Sequence, residues 1–226
     1  MNITDFAQVY SDMGFNCIPL IHHTKDPALN TWKEFQTEKY TGGFKEGQNL
    51  GILTGEISNL IVIDIDDMSL VYEIIKNEAG KPTLEEWKNK TFMVKTNRGL
   101  HIYVRPKNGV FPPTAKLQDA KGRGIDIKSS GGYVVAPPSI HEEGTKYHVV
   151  SITRDIMAID IEGFVNSLVA HHGFSGGLKK AKLSHVVRGG VAEGGRNDSA
   201  YVMARHLLNP VEGAFEEKDA WVELIK

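Results

Sequence analysis

Apolar residues in this chain come mostly in short runs rich in β-branched side chains, separated by polar stretches that contain glycine or proline. Residues 4–14 are an exception. Phe6, Val9, Tyr10 and Met13 recur there at helical spacing, Thr4 can cap the start with Asp5 in the first turn, and Gly14 can close the end. "FNCIPLI" then reads as a strand. The polar residues 22–36 are broken at Pro27 and predict a short helix around Trp32 and Phe35. "NLGILTG" and "NLIVIDID", separated by "EIS", read as paired strands. Helical patterns cover 69–79 and 83–89, interrupted by Gly80 and Pro82. "TFMVKT" and "LHIYVR" on either side of "NRG" predict a β-hairpin. "GIDIKSSGGYVVAPPS" gives two more short strands joined through Gly131 and Gly132, "TKYHVV" gives another, and helix returns at about 160–170. Strands grouped in this way, with helices between the groups, predict an α+β domain on a mixed or antiparallel sheet flanked by helices.

The texture changes after that. Residues 175–196 hold six glycines and five Lys or Arg against one Glu, the composition of a linker. "RNDSAYVMARHLL" and "FEEKDAWVELIK" read as two helices, and the second reaches the last residue without a stop signal, as in a fragment of a longer chain. The expected organisation is a catalytic domain over 1–170, a linker over 171–195 and the start of a helical segment over 196–226.

Composition narrows the class. With 226 residues and a formal net charge of -2, the chain is not a generally basic nucleic-acid coat. A single cysteine, Cys17, excludes an internal disulfide and a multi-cysteine zinc site, and fits a reducing cytoplasm. No charged-then-apolar leader and no apolar run near 18 residues stands in the sequence, so no export or membrane span is expected.

The chemistry begins in "LIVIDIDDMSL", where an apolar strand runs into three aspartates. Alternation puts Asp64 and Asp66 on one face and Asp67 on the other. Two carboxylates one strand-step apart repel, and a hard cation such as Mg²⁺ or Mn²⁺ between them would offset the repulsion. The other reading is a solvated strand end with Asp67 capping the next helix. Asp126, also flanked by isoleucines, offers a third carboxylate, and His101 stands just inside the second strand of the hairpin. Cations crowd the same region. Lys95, Arg98, Arg105, Lys107, Lys116, Lys121, Arg123 and Lys128 face only Asp119 and Asp126 between positions 95 and 128, a local asymmetry that suits a phosphate-rich partner. Within it, Lys95, Arg105, Lys121 and Arg123 are the candidate contacts to such a partner. Tyr103 and Tyr133 could stack on a base or pack against the sheet.

Taken in order, "NLGILTG", "LIVIDID", "VKTNRGLHIYV" and "GIDIKSSGGYVVAPPS" resemble the bifunctional DNA primase–polymerase domain, the prim-pol branch of the archaeo-eukaryotic primases, over roughly residues 5–150. The resemblance implies an RRM-like palm and template-directed nucleotidyl transfer by a two-metal mechanism. Asp64, Asp66 and Asp126 would hold two Mg²⁺ or Mn²⁺ ions, and His101 would meet the triphosphate, with Arg98, Lys128 and Ser139 as further nucleotide contacts. It also implies a single-stranded DNA template, a primer and dNTP or NTP substrates, a helicase domain following in the full-length protein, and replication of a plasmid, phage or integrated element. Relatives often carry Glu at the second acidic position, so Asp66 is a shorter ligand. Two other classes stay open on the residues alone: a two-metal nuclease or phosphodiesterase, and a non-catalytic single-stranded DNA-binding module.

Overall fold

Alternation of isoleucine with aspartate builds the centre of the structure, a computed structural model that describes residues 2–75 and 83–178. Helix α1 (Ile3–Asp12) starts under Asn2, whose side chain accepts from the Asp5 amide while the Asp5 carboxylate accepts from the Asn2 amide. This reciprocal cap displaces Thr4, the cap expected from sequence, into the helix itself. Strands β1 (Cys17–Leu20), β2 (Asn49–Leu53) and β3 (Ile61–Ile65) follow, with only a single 3-10 turn at Lys33–Gln36 where a short helix was expected. Helices α2 (Met68–Ile74) and α3 (Leu84–Lys90) precede the expected hairpin of β4 (Met93–Lys95) and β5 (Leu100–Pro106). Next come β6 (Ala115–Gln118), β7 (Gly124–Lys128), β8 (Tyr133–Ala136), β9 (His148–Val149) and β10 (Met157–Ile159), then α4 (Ile161–His172) and β11 (Ser175–Gly176).

These strands form two sheets. β1, β2 and β8 make a small antiparallel one. The larger runs β11-β6-β7-β3-β5-β4-β9, and β10 adds parallel to the far end of β5. The α+β class and the mixed sheet are as the sequence predicts. The pairing of "NLGILTG" with "NLIVIDID" is not. β2 belongs to the small sheet and β3 to the centre of the large one, and the two runs meet only where Gly55 bridges Leu60. A 3-10 turn at Glu56–Ser58, entered through Gly55 at φ +94°, carries the chain between sheets. A Cβ on Gly55 would also stand 2.9 Å from the Ser130 Cα, so neither backbone nor space admits a side chain there. β7 and β8, the strands read on either side of Gly131 and Gly132, likewise part into different sheets.

β6, β10 and β11, each four residues or fewer, are additional to the strands that the sequence pattern predicts. The first residues of the expected linker are therefore structured: α4 runs to His172, and Ser175–Gly176 pair with β6. The rest of that linker, the two helices beyond it and the join between α2 and α3 lie outside the described residues. No described helix is long and apolar enough to cross a membrane.

One face of the large sheet is the main core. Ile61, Ile63 and Ile65 of β3, Ile102 and Val104 of β5, and Ile125 and Ile127 of β7 bury against Leu70 and Val71 of α2 and Val165 and Leu168 of α4. Each such side chain contributes about 2 kcal/mol by leaving water. The opposite face is divided. Towards one end Tyr10 and Phe15 cover Phe92 and Tyr103, whose rings meet edge to face at 4.9 Å. Towards the other end the sheet opens, and there the polar partners of those isoleucines emerge.

Candidate functional site

The register of three central strands assembles the site. On β3, Asp64 lies directly opposite His101 of β5 on one side and Asp126 of β7 on the other, and Lys116 of β6 lies opposite Asp126. His101, Asp64, Asp126 and Lys116 therefore form one row across four strands on a single face. Directly opposed like charges destabilise a sheet, and this row carries cations that offset the Asp64–Asp126 pair. The Lys128 Nζ lies 2.6 Å from the Asp126 Oδ2, the Lys116 Nζ 3.4 Å from the same oxygen, and the His101 Nε2 3.3 Å from the Asp64 Oδ1. His101 is only 5% exposed, and its other ring nitrogen, Nδ1, is buried without a hydrogen-bond partner.

The charges act on one another. Burial alone would raise the Asp64 carboxyl, but the charge and hydrogen bond of His101, with Lys128 and Lys25, outweigh it and hold the group below the usual carboxylate range. Asp66, just past β3, goes the other way: partial desolvation, then the Asp64 charge, raise its carboxyl against the pull of Lys25 and Arg98. The Tyr147 hydroxyl is pushed up to about 12 by burial and by Asp64 and Asp66. Asp67 caps α2, accepting from the Ser69 amide at 2.7 Å, as one sequence reading held. A raised carboxyl favours folding below the ordinary carboxylate value, and that contribution is lost as pH rises through the raised one. Asp66 is exposed, so solvent screens its repulsion, and Asp66→Asn is expected to stabilise the metal-free protein at pH 7 by no more than a few tenths of a kcal/mol, with the gain vanishing near pH 3. Thermal midpoints of both proteins in a chelating buffer at the two pH values check this.

Two hollows flank the row. The inner one, about 310 Å³, lies between the sheets and is lined by Asp64, His101, Lys128, Lys25, Trp32 and Tyr133, among others. The outer one, about 890 Å³, takes in Asp66, Asp126, Arg98 and Lys116. Lys25 and Trp32 had no sequence signal of their own, since the loop after β1 brings them to the cleft. Three contacts seat that loop. The Tyr133 hydroxyl donates to the Lys25 carbonyl at 2.8 Å, the Tyr133 ring meets Trp32 edge to face at 4.9 Å, and the Gln36 amide donates to the Gly132 carbonyl at 2.8 Å.

Other predicted residues are engaged elsewhere. Ser139 is buried, its hydroxyl accepting from the Leu50 amide and donating to the Leu50 carbonyl. Arg123 is held by Asp119 at 2.7 Å and Glu73 at 2.8 Å, bracing the β6–β7 turn against α2. Lys95 donates to the Gly99 carbonyl within its own hairpin. Arg105 lies beyond the fully buried Tyr103 on the covered part of the face, with its Nε buried and unpaired. Lys121 is exposed at the β6–β7 turn. Tyr103 has no open face to offer a base.

The donors suit a hard cation, being carboxylate oxygens beside ammonium groups that already occupy positions of positive charge. They are spread along a row: among the described residues, no three His, Cys, Asp or Glu side chains gather into one metal-holding group.

The family model for the N-terminal domain of bifunctional DNA primase/polymerases matches residues 7–160. The chain belongs to this family. The matched span holds the whole carboxylate row, the small sheet and every strand of the large sheet except β11, and membership supports nucleotidyl transfer of the DNA primase/polymerase type, with DNA and nucleotides as substrates. No curated protein matches the chain. What this member of the bifunctional primase/polymerase family adds is the detail of its row, in which aspartate fills both acidic positions of β3 and its exit, and lysines lie on either side of the third carboxylate.

Proposed function

We propose that this protein adds nucleotides to a DNA 3′ end in a template-directed reaction carried out at the row of Asp64, Asp126 and His101. The observation that carries the reading is the register itself: two carboxylates and a histidine stand side by side on adjacent strands, with cations around them and a nucleotide-sized cleft next to them. Asp64, Asp66 and Asp126 would hold Mg²⁺ or Mn²⁺, which when bound supplies charge to the phosphates and lowers the pKa of the attacking hydroxyl. His101, Lys128 and Lys25 would hold the triphosphate. A phosphate oxygen is the kind of partner the unpaired imidazole nitrogen lacks. As the 3′-oxygen bonds to the α-phosphorus and the bond to the β-phosphate oxygen breaks, these cations stabilise the charge gathering on the departing pyrophosphate.

Trp32 would pack against the base. Stacking of this kind favours no particular base and is worth on the order of tenfold in affinity. Trp32→Ala is therefore expected to raise the KM for all four dNTPs by about that factor. The chain's other tryptophans are Trp87 and Trp221. A fluorescence change on dNTP binding is expected in the native protein and should disappear in Trp32→Phe.

The test of the reading is incubation with a primed single-stranded template, Mg²⁺ or Mn²⁺ and labelled dNTPs. Triphosphate-dependent lengthening of the primer supports it. Metal-dependent shortening without nucleotide would make the same row a nuclease site instead.

A further inference from the structure

We infer that the outer hollow is the seat of the primer strand's 3′ end, with Arg98 and Lys116 on its last phosphates; this rests on the nucleotidyl-transfer reading above. The two hollows share no lining residue, and they lie on either side of Asp64 and Asp126, which face each other in register. In-line displacement places the attacking oxygen and the departing pyrophosphate on opposite sides of the reacting phosphorus. If one hollow takes the triphosphate, the other must therefore take the strand that attacks.

Size and lining decide which is which. The inner cleft, about 310 Å³ and walled by Trp32 and Tyr133, suits one nucleotide. The outer hollow, about 890 Å³, has room for a strand terminus, and part of its lining is glycine, at Gly122, Gly124 and Gly176, which lets a phosphate backbone come close. Its cations differ in kind. Arg123 is spent on Asp119 and Glu73, whereas Lys116, 3.4 Å from Asp126, is 80% exposed, and exposed Arg98 makes no side-chain hydrogen bond or close ion pair among the described residues and acts on Asp66 through its charge alone. Arg98, expected from sequence on the nucleotide, thus falls on the primer's side.

The primer can be located by disulfide capture. Gln118 is exposed on the outer hollow and Lys25 on the inner cleft, and the sole native thiol, Cys17, is buried. A recessed primer–template duplex carrying a 2-pyridyl disulfide linker on its 3′-terminal nucleotide is expected to couple, by thiol–disulfide exchange that releases pyridine-2-thione, with Gln118→Cys at least tenfold faster than with Lys25→Cys. Faster coupling at Lys25→Cys, equal rates or no coupling at either position would overturn the inference. In parallel, Arg98→Ala/Lys116→Ala is expected to weaken binding of the unmodified duplex about tenfold. It should also flatten the slope of log Kd against log salt by between one and two units. Its dNTP-dependent tryptophan signal should match that of the native protein, and an unchanged duplex affinity would also sink the idea. Primer extension by the native protein with capture at Lys25→Cys leaves the activity standing and refutes only this placement. Absence of extension by the native protein removes the reading beneath it.

Discussion

Replacing Asp64 and Asp66 together by alanine is expected to lower primer extension by about 10³-fold or more while leaving the fold in place. The activity and the fold depend on opposite faces of the same strand. Ile61, Ile63 and Ile65 hold β3 in the core, and none of them changes. Asp64 is 17% exposed on the other face, where its removal relieves the opposition to Asp126 but deprives His101 of its partner. Those effects have opposite signs, so the net change in stability should stay within about 1 kcal/mol. Circular dichroism melts and primer extension, run on the same preparations, separate the two. A divalent ion that binds the native row should also raise the native thermal midpoint and leave that of the variant unmoved, since binding to the folded state alone is what stabilises. Normal extension by the variant would end the assignment of the row.

That Asp64 and Asp126 each project from the face opposite their flanking isoleucines could be read from sequence, and it follows from strand geometry. Ile-Asp-Ile occurs at 63–65 and again at 125–127, and period-two alternation forces the isoleucines one way and the acid the other. The β4–β5 hairpin was equally legible, because both strands and their turn are contiguous. Neither feature required knowledge of which strands become neighbours. The assignments that shifted did require it. Nothing local distinguishes β2 pairing with β3 from β2 pairing with β8, and a three-residue turn decides it. The side-chain commitments of Arg123 and Ser139 are to Glu73, 50 positions away, and Leu50, 89 away. Lys25 and Trp32 belong to a loop of no regular pattern, and they gain their place through Tyr133 and Gln36, which bind from and to the distant Gly131–Tyr133 segment. Lys116 was visible as a charge, but its pairing with Asp126 waits on β6, a strand with only two apolar positions, Ala115 and Leu117, to announce it.

Gly99→Ala is expected to cost about 3 kcal/mol and to cut activity as well. Sequence marks this glycine as part of a tight turn, yet its backbone is not in the left-handed region, and the constraint is one of space. A Cβ at Gly99 would stand 1.7 Å from the Ile65 carbonyl oxygen and 2.9 Å from the Asp66 carbonyl carbon. Both neighbours are backbone, so no side chain can rotate away. The β4–β5 turn would have to lift off the end of β3, where Asp66 and Asp67 leave the strand and the Met68 amide donates to the Arg98 carbonyl at 3.1 Å. A loss of that size corresponds to a fall of roughly 10 °C in thermal midpoint for a chain of this length. A displacement of about 1 Å in Asp66 would add on the order of a hundredfold loss in rate. Gly43→Ala provides the comparison, since nothing lies within 4 Å of its would-be Cβ and its φ is not positive. It should be neutral or slightly stabilising through the unfolded chain. If Gly99→Ala melted with the native protein and extended primers at the native rate, the hairpin turn would not be resting on the strand that carries the carboxylates.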